Sequence, residues 1–287
     1  MMIPAGPRRM TAASCDISVL RFRSGLQLKG LAQLPHHGFA LGDVSQWHRG
    51  MAGVRLGGLY KVEYRFGDAT GRSVMYARGG RMFGGNSAFA HIGAYREVDG
   101  EIVAEISTQR HHDDPNYRAM LGSDVASIAV RGHARDDAFQ FEGSSPQAPG
   151  VFNAVMRPLR EEESPLAGTV GEGGLANGLY AIHIHALDGV AGGNTGVMVM
   201  VDGCILGGDA FFYYLGSYSS SEGRWKGEIV SQEHTPADPA LSLFGGQEVG
   251  MGLSGSCNAD GAEAIATAFT GRRSIRFAVT LKLMCRA

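Results

Sequence analysis

Gly58-Leu59-Tyr60 recurs as Gly178-Leu179-Tyr180, 120 positions later, and no other feature constrains the fold of this chain as tightly. The register then settles at 123. Gly84-Gly85-Asn86 answers to Gly207-Gly208-Asp209, Phe89 to Phe212, Gly93 to Gly216, Tyr95 to Tyr218, Gln109 to Gln232, His111 to His234 and Gly132 to Gly255. Asp114-Pro115 and Asp238-Pro239 are 124 apart, so the copies differ by short insertions at turns, where related folds tolerate them. The period is far longer than that of a solenoid repeat, so each copy should bury its own core. Two domains of about 100 residues fit within 287 residues without disulfide or metal staples. The repeats place them at 57–159 and 177–287, with 160–176 as a linker. Arg160-Glu161-Glu162-Glu163-Ser164-Pro165 opens that linker and Gly171, Gly173 and Gly174 continue it, a composition that reads as flexible. Residues 1–56 belong to neither copy and read as a flexible N-terminal extension. Met51 stands just ahead of the first repeat, which makes the residues before it a candidate upstream extension of the reading frame.

Within each copy the dominant period is two. Tyr60, Val62, Tyr64 and Phe66 share one face and Lys61, Glu63 and Arg65 the other; Tyr180, Ile182, Ile184 and Ala186 repeat the apolar face. Gly79-Gly80 and Asp202-Gly203 occupy two-residue hairpin positions. Further β-rich segments are predicted near 86–95, 101–109, 124–131, 135–142 and 150–157, with counterparts near 209–218, 224–233, 247–255, 263–270 and 274–284. Ala262–Phe269 has some helical propensity and is assigned as strand. The pattern predicts an all-β protein of two tandem eight-stranded antiparallel barrels, each with room for side chains or one small ligand. On that reading Tyr60, Val62, Tyr64, Phe66, Tyr180, Ile182 and Ile184 line the interiors. Val197-Met198-Val199-Met200-Val201 is apolar on both faces, so its outer face is expected to pack on the other barrel or on a second chain.

The net charge of −2 supplies no broad basic field for nucleic acid. No apolar run approaches the length of a membrane-spanning helix, and the N-terminus lacks the h-region of a secretory signal. Cys15, Cys204, Cys257 and Cys285 show no paired spacing, which predicts reduced thiols and a cytoplasmic protein. His183 and His185 resemble a metal-binding pair, but their equivalents are Glu63 and Arg65 on the outer face, so both are expected to point to solvent. His111-His112-Asp113-Asp114 recurs only as His234 and Asp238-Pro239, which favours a structural loop over a general-base site, leaving His111, Asp113 and His234 as the residues of a minor enzyme reading. The two Gly-Gly-Asn/Asp motifs lack phosphate-loop spacing and read as bulges or sharp bends, and Arg272, Arg273 and Arg276 as a solvated basic turn. No serine elbow, Cys/His pair or framed carboxylate pair is present. The expectation is a protein without enzyme activity, metal or cofactor.

Gly178-Leu179-Tyr180, the strand from Gly196 to Val201, Asp202-Gly203, Gly207-Gly208-Asp209, Phe211-Phe212-Tyr213 and Gly216-Ser217-Tyr218 resemble the GrlR family of negative regulators of type III secretion. Gly58-Leu59-Tyr60, Gly79-Gly80, Gly84-Gly85-Asn86 and Gly93-Ala94-Tyr95 carry a weaker version, so the likeness covers about 57–159 and 178–284. The resemblance implies calycin-like barrels with hydrophobic interiors, homodimerisation through barrel packing, no enzyme activity, and repression by capture of a transcriptional activator. That capture uses an acidic run in the turn after the glycine-rich strand. Here the turns read Glu97-Val98-Asp99-Gly100-Glu101 and Ser221-Glu222-Gly223-Arg224, which makes Glu97, Asp99, Glu101 and Glu222 the candidate partner contacts. Two readings stand: a regulator that binds a protein partner, and a carrier of a small apolar molecule or lipid inside a barrel.

Overall fold

A computed structural model describes residues 56–159, 166–187, 193–237, 244, 246–270 and 273–287, the side chains of Thr270 and Arg273 excepted. The first copy comprises β1 (Gly58–Phe66), β2 (Ala69–Arg78), β3 (Arg81–Gly85), β4 (Phe89–Val98), β5 (Glu101–Arg110), β6 (Val125–Arg135), β7 (Ala138–Ser145) and β8 (Ala148–Pro158). The second comprises β9 (Gly178–Ala186), β10 (Gly193–Val201), β11 (Cys204–Gly208), β12 (Phe212–Ser221), β13 (Arg224–Glu233), β14 (Val249–Asn258), β15 (Gly261–Thr270) and β16 (Arg273–Arg286). Each set pairs antiparallel in sequence order and closes on itself, β8 on β1 and β16 on β9, giving two up-and-down barrels. Both belong to one compact unit, Arg55–Ala287.

Alternation builds the walls. Strand β6 places Ala126, Ile128, Val130 and Gly132 inward and Val125, Ser127, Ala129, Arg131 and His133 outward. The hairpins are tight because both central residues hold positive φ, as at Asp99 (53°) with Gly100 (81°) and Asp202 (49°) with Gly203 (82°), which matches the twist of the flanking strands. Strand pairing also corrects the repeat. Phe66 opposes Phe152 and Ala186 opposes Phe277, so the spacing rises to 125 in the last strand, β15 being two residues longer than β7.

Gly132 and Gly255, 123 apart, are needed where neighbouring strands come close. A Cβ at Gly132 would lie 2.2 Å from the Gln140 carbonyl oxygen, and one at Gly255 would lie 1.8 Å from that of Glu263. These partners are backbone and cannot swing aside. Gly132→Ala and Gly255→Ala should each cost about 3 kcal/mol in urea unfolding, whereas Gly252→Ala, with nothing within 4 Å of its Cβ, should cost little.

The barrels pack along β2–β3 and β10–β11. Leu59, Val74, Tyr76, Phe83 and Ala90 of the first barrel and Leu179, Val197, Val199, Leu206 and Tyr213 of the second form one buried apolar cluster. Its members are repeat equivalents, and their contacts exchange: a side chain at Gly85 would meet Val197 at 2.8 Å, and one at Gly208 would meet Val74 at 3.0 Å. Residue i touching j while the equivalent of j touches the equivalent of i is the mark of a twofold interface. The apolar character of Val197–Val201 on both faces follows from this. Val197 and Val199 fill the seam, while Met198 and Met200 enter the core of the second barrel.

Two expectations need correction. The glycine-rich part of the predicted linker is not free: Gly171 donates to the Ser220 carbonyl, Ser220 to that of Thr169 and Glu222 to that of Glu172, while Leu175 enters the core of the second barrel. Its glycines permit close approach, since a Cβ at Gly168 would lie 2.0 Å from the Tyr218 carbonyl oxygen. His183 does not simply face solvent. Its ring is half-buried and meets His112 of the first barrel edge-on at 5.0 Å, because the outer face of β9 borders the other barrel at that point; His185 is exposed. Residues 1–55, Arg160–Pro165 and Asp238–Pro239 lie outside the described residues.

Candidate functional site

Although the two barrels share a topology, they differ inside. The first holds a cavity that runs out through its mouth onto the edge of the second barrel, about 1240 Å³ including that vestibule; the second retains a void of about 40 Å³. In the first barrel the bulk stands on β7, β8 and β1 (Phe139, Phe141, Phe152, Tyr64), while β5 and β6 present Ala104 and Ala126 to the interior. In the second barrel the bulk moves to the opposite wall: Met200 stands at the place of Ala77, Tyr214 at that of His91 and Trp225 at that of Ile102, all packed in the core. Strand β15 carries Ala262, Ala264, Ala266 and Ala268 inward, and Phe244 packs on Phe277 at 6.1 Å, where the first barrel has Leu121.

The cavity opens at the end carrying the β1–β2, β3–β4 and β5–β6 connections. Its rim includes Arg65, Arg72 and Arg118 and, from the second barrel, Thr195 and Phe211. The Thr195 hydroxyl donates to the Ser87 carbonyl at 2.7 Å, tying the second barrel to this rim. The opposite end is shut. Tyr60 packs edge-on against Phe139 at 5.8 Å and donates to the Gly57 carbonyl, and Tyr95 donates to the Leu56 carbonyl at 2.7 Å.

Just inside the mouth, His91 Nδ1 and the Thr108 hydroxyl are 3.1 Å apart on register-paired positions of β4 and β5. Tyr64 lies edge-on to His91 at 6.2 Å, and its hydroxyl accepts from Asn86 Nδ2 at 3.0 Å. Burial pushes the His91 pKa down to about 4, with the neighbouring His111 adding repulsion, and burial pushes the Tyr64 phenol up. Both are therefore neutral near pH 7.

The repeated Gly-Gly-Asn/Asp and His motifs form the hinges of this end. The Asn86 carboxamide oxygen accepts from the Ala88 and Phe89 amides at 3.0 and 2.9 Å, and Asp209 accepts from Phe211 and Phe212 at 2.7 and 2.9 Å, so each closes its β-turn as a side-chain cap. His111 Nε2 bonds the Asn86 carbonyl at 3.0 Å, and His234 Nε2 bonds that of Asp209 at 3.4 Å. A carbonyl partner requires the proton on Nε2. That leaves His111 Nδ1 as a bare acceptor, buried without a hydrogen-bond partner. Desolvation lowers both pKa values to about 4. These histidines are structural, and no group of three or more metal-ligating side chains occurs among the described residues.

Of the cavity residues expected from the sequence, Val62 and Tyr64 line the large cavity, and Ile182 and Ile184 line the small void. Tyr60 belongs to the floor, Phe66 packs at the edge of the first core, and Tyr180 is fully buried in the second. His91 and Thr108 were not anticipated; a histidine on the inward parity of a strand, at the place of Tyr214, was the available signal. The acidic residues lie elsewhere. Glu97, Asp99 and Glu101 share the β4–β5 hairpin at the shut end, where Glu97 accepts from the Leu56 amide at 3.0 Å and Glu101 pairs with Arg131 at 2.9 Å. Glu222 occupies the matching β12–β13 hairpin with φ 52°.

No family model and no curated protein matches the chain. Among solved structures, a candidate outer membrane protein of Bacteroides fragilis aligns over 79% of this chain and 96% of its own at 9% identity and a TM-score of 0.26. Immune modulator A of Aeromonas veronii aligns over 80% and 95% at 10% identity and a TM-score of 0.16. Likenesses at that level bear on neither fold nor function. No helix among the described residues is long and apolar enough to cross a membrane, which says nothing of strands.

Proposed function

We propose that the chain is a non-enzymatic binding protein whose first barrel takes up a small, largely apolar molecule and whose second barrel is its filled structural partner. The observation that carries this reading is the contrast between cavities of about 1240 and 40 Å³ in two copies of one fold. Small-molecule sites are concave, mostly apolar and furnished with a few polar groups, and they commonly occupy about 300–1,000 Å³. The cavity reaches that size and carries its polar groups near the mouth. Capture of a transcriptional activator through the acidic hairpin is the second reading, supported by the exposure of Glu97 and Asp99. It makes no use of the cavity, and Glu97 and Glu101 already have intramolecular partners.

Fluorescence titration with the uncharged dye phenylnaphthylamine tests the proposal. One dye per chain is expected to bind. Ala104→Phe, which projects a ring into the cavity from a wall position, should weaken binding at least about a hundredfold by occupying the space. Ala266→Phe in the packed second barrel should leave affinity unchanged while costing about 1–3 kcal/mol of stability. Undiminished binding by Ala104→Phe would place the dye elsewhere and remove the proposal.

A further inference from the structure

Granting that the first barrel binds an apolar molecule, we infer that its ligand is an uncharged amphiphile, entering tail first and leaving a hydroxyl, ester or amide head at the collar of Tyr64, His91 and Thr108. The orientation follows from the two ends. The floor is closed by the Tyr60–Phe139 contact and by the hydrogen bonds that hold Gly57 and Leu56 across it, so only the opposite end admits a molecule. Between floor and collar the lining is aliphatic, sulfur-bearing or aromatic, as at Met75, Met82, Val130 and Met156. A polar head buried there would lose its hydrogen bonds to water without replacement.

The collar supplies those replacements. His91 and Thr108 form a hydrogen-bonded pair that borders the cavity, and the Tyr64 hydroxyl stands beside them. Asn86 is excluded from ligand contact because its amide already serves Tyr64, the Arg72 carbonyl and two backbone amides. Each collar group is neutral near pH 7, and the charged residues at inward-parity strand positions of the first barrel, Glu97 and Arg110, stand at strand ends outside the cavity lining, where Glu97 accepts from the Leu56 amide at the floor and Arg110 pairs with Asp124. An ionised head would therefore shed hydration with no counter-charge to meet it. The rim outside the collar carries both signs: Arg65, Arg72 and Arg118 stand there with Glu63 and Asp114.

Displacement of bound phenylnaphthylamine from the full chain at pH 7.5 by n-dodecanol, dodecanoate and n-dodecane separates the possibilities. Dodecanol is expected to bind at least tenfold more tightly than either of the others. His91→Leu should erase the preference for dodecanol over dodecane, and His91→Gln, which keeps a neutral hydrogen-bonding head in place, should retain it. Thr108→Val gives an independent route to the same loss if His91→Leu does not fold. Dodecanoate binding as tightly as dodecanol, or a preference that survives both His91→Leu and Thr108→Val, would overturn the inference while the dye still reports an occupied cavity. If neither dye nor displacer binds, the ligand reading itself falls and takes the inference with it.

Discussion

Between pH 6.5 and 4 the protein is expected to lose most of its stability in a cooperative acid transition, followed by circular dichroism at increasing urea. Three histidines drive it. His91, His111 and His234 are held neutral by burial with folded pKa values of about 4, against an ordinary value of 6.5. A depressed folded pKa means that the unfolded chain binds more protons in the window between the two values, so stability rises with pH there. The contribution is fully present above pH 6.5 and is lost as pH falls toward 4. Each gap corresponds to on the order of 3 kcal/mol, and three such groups rival the roughly 5–15 kcal/mol that holds a domain folded. His183, partly desolvated beside His112, acts in the same direction. Asp209 opposes them, because burial raises its pKa and the folded state takes up its proton more readily. His111→Gln with His234→Gln, whose amides can still donate to the turn carbonyls, should move the acid midpoint down. A urea midpoint that stays flat from pH 6.5 to 4 would show that these rings are not buried as described.

Much of this architecture is legible in the residues, and what escapes has physical causes. The period-two faces and the two-residue hairpins locate nearly every strand, because a half-buried strand and a positive-φ turn each leave a local mark. Ala262–Phe269 lies in β15 despite its helical propensity, since closure of the barrel needs an eighth partner between β14 and β16. Val197–Val201 declares a covered outer face. The cavity left no comparable mark. Its existence depends on which wall carries the bulk: the first barrel contributes Phe139 and Phe141 where the second has Ala262 and Ala264, yet the second is the filled one. Side-chain size along one strand does not predict that outcome, because Met200, Tyr214 and Trp225 on other strands fill the second core. The collar is equally hidden, since His91 meets Thr108 only through strand register. In the linker, glycines that read as flexibility serve close backbone packing against the β12–β13 hairpin.

The interface between the barrels makes a prediction that only a twofold arrangement shares. Val74 and Val197 are repeat equivalents, both fully buried, and each faces the β3 or β11 glycine of the other barrel. Val74→Asp and Val197→Asp should therefore each cost about 3–5 kcal/mol in urea unfolding, the penalty of an uncompensated buried charge, and the two penalties should agree within about 1 kcal/mol. The double variant separates symmetry from coincidence. Once one aspartate has undocked the seam, the second enters a wetted surface, so the combined cost should fall well short of the sum. Because each barrel has its own core, undocking should also split one unfolding transition into two, with phenylnaphthylamine binding lost in the transition of the first barrel. Two valines with unequal costs that add would mean that the barrels meet without exchange symmetry, and the duplicated seam would then be a coincidence of sequence instead of the surface that joins the copies.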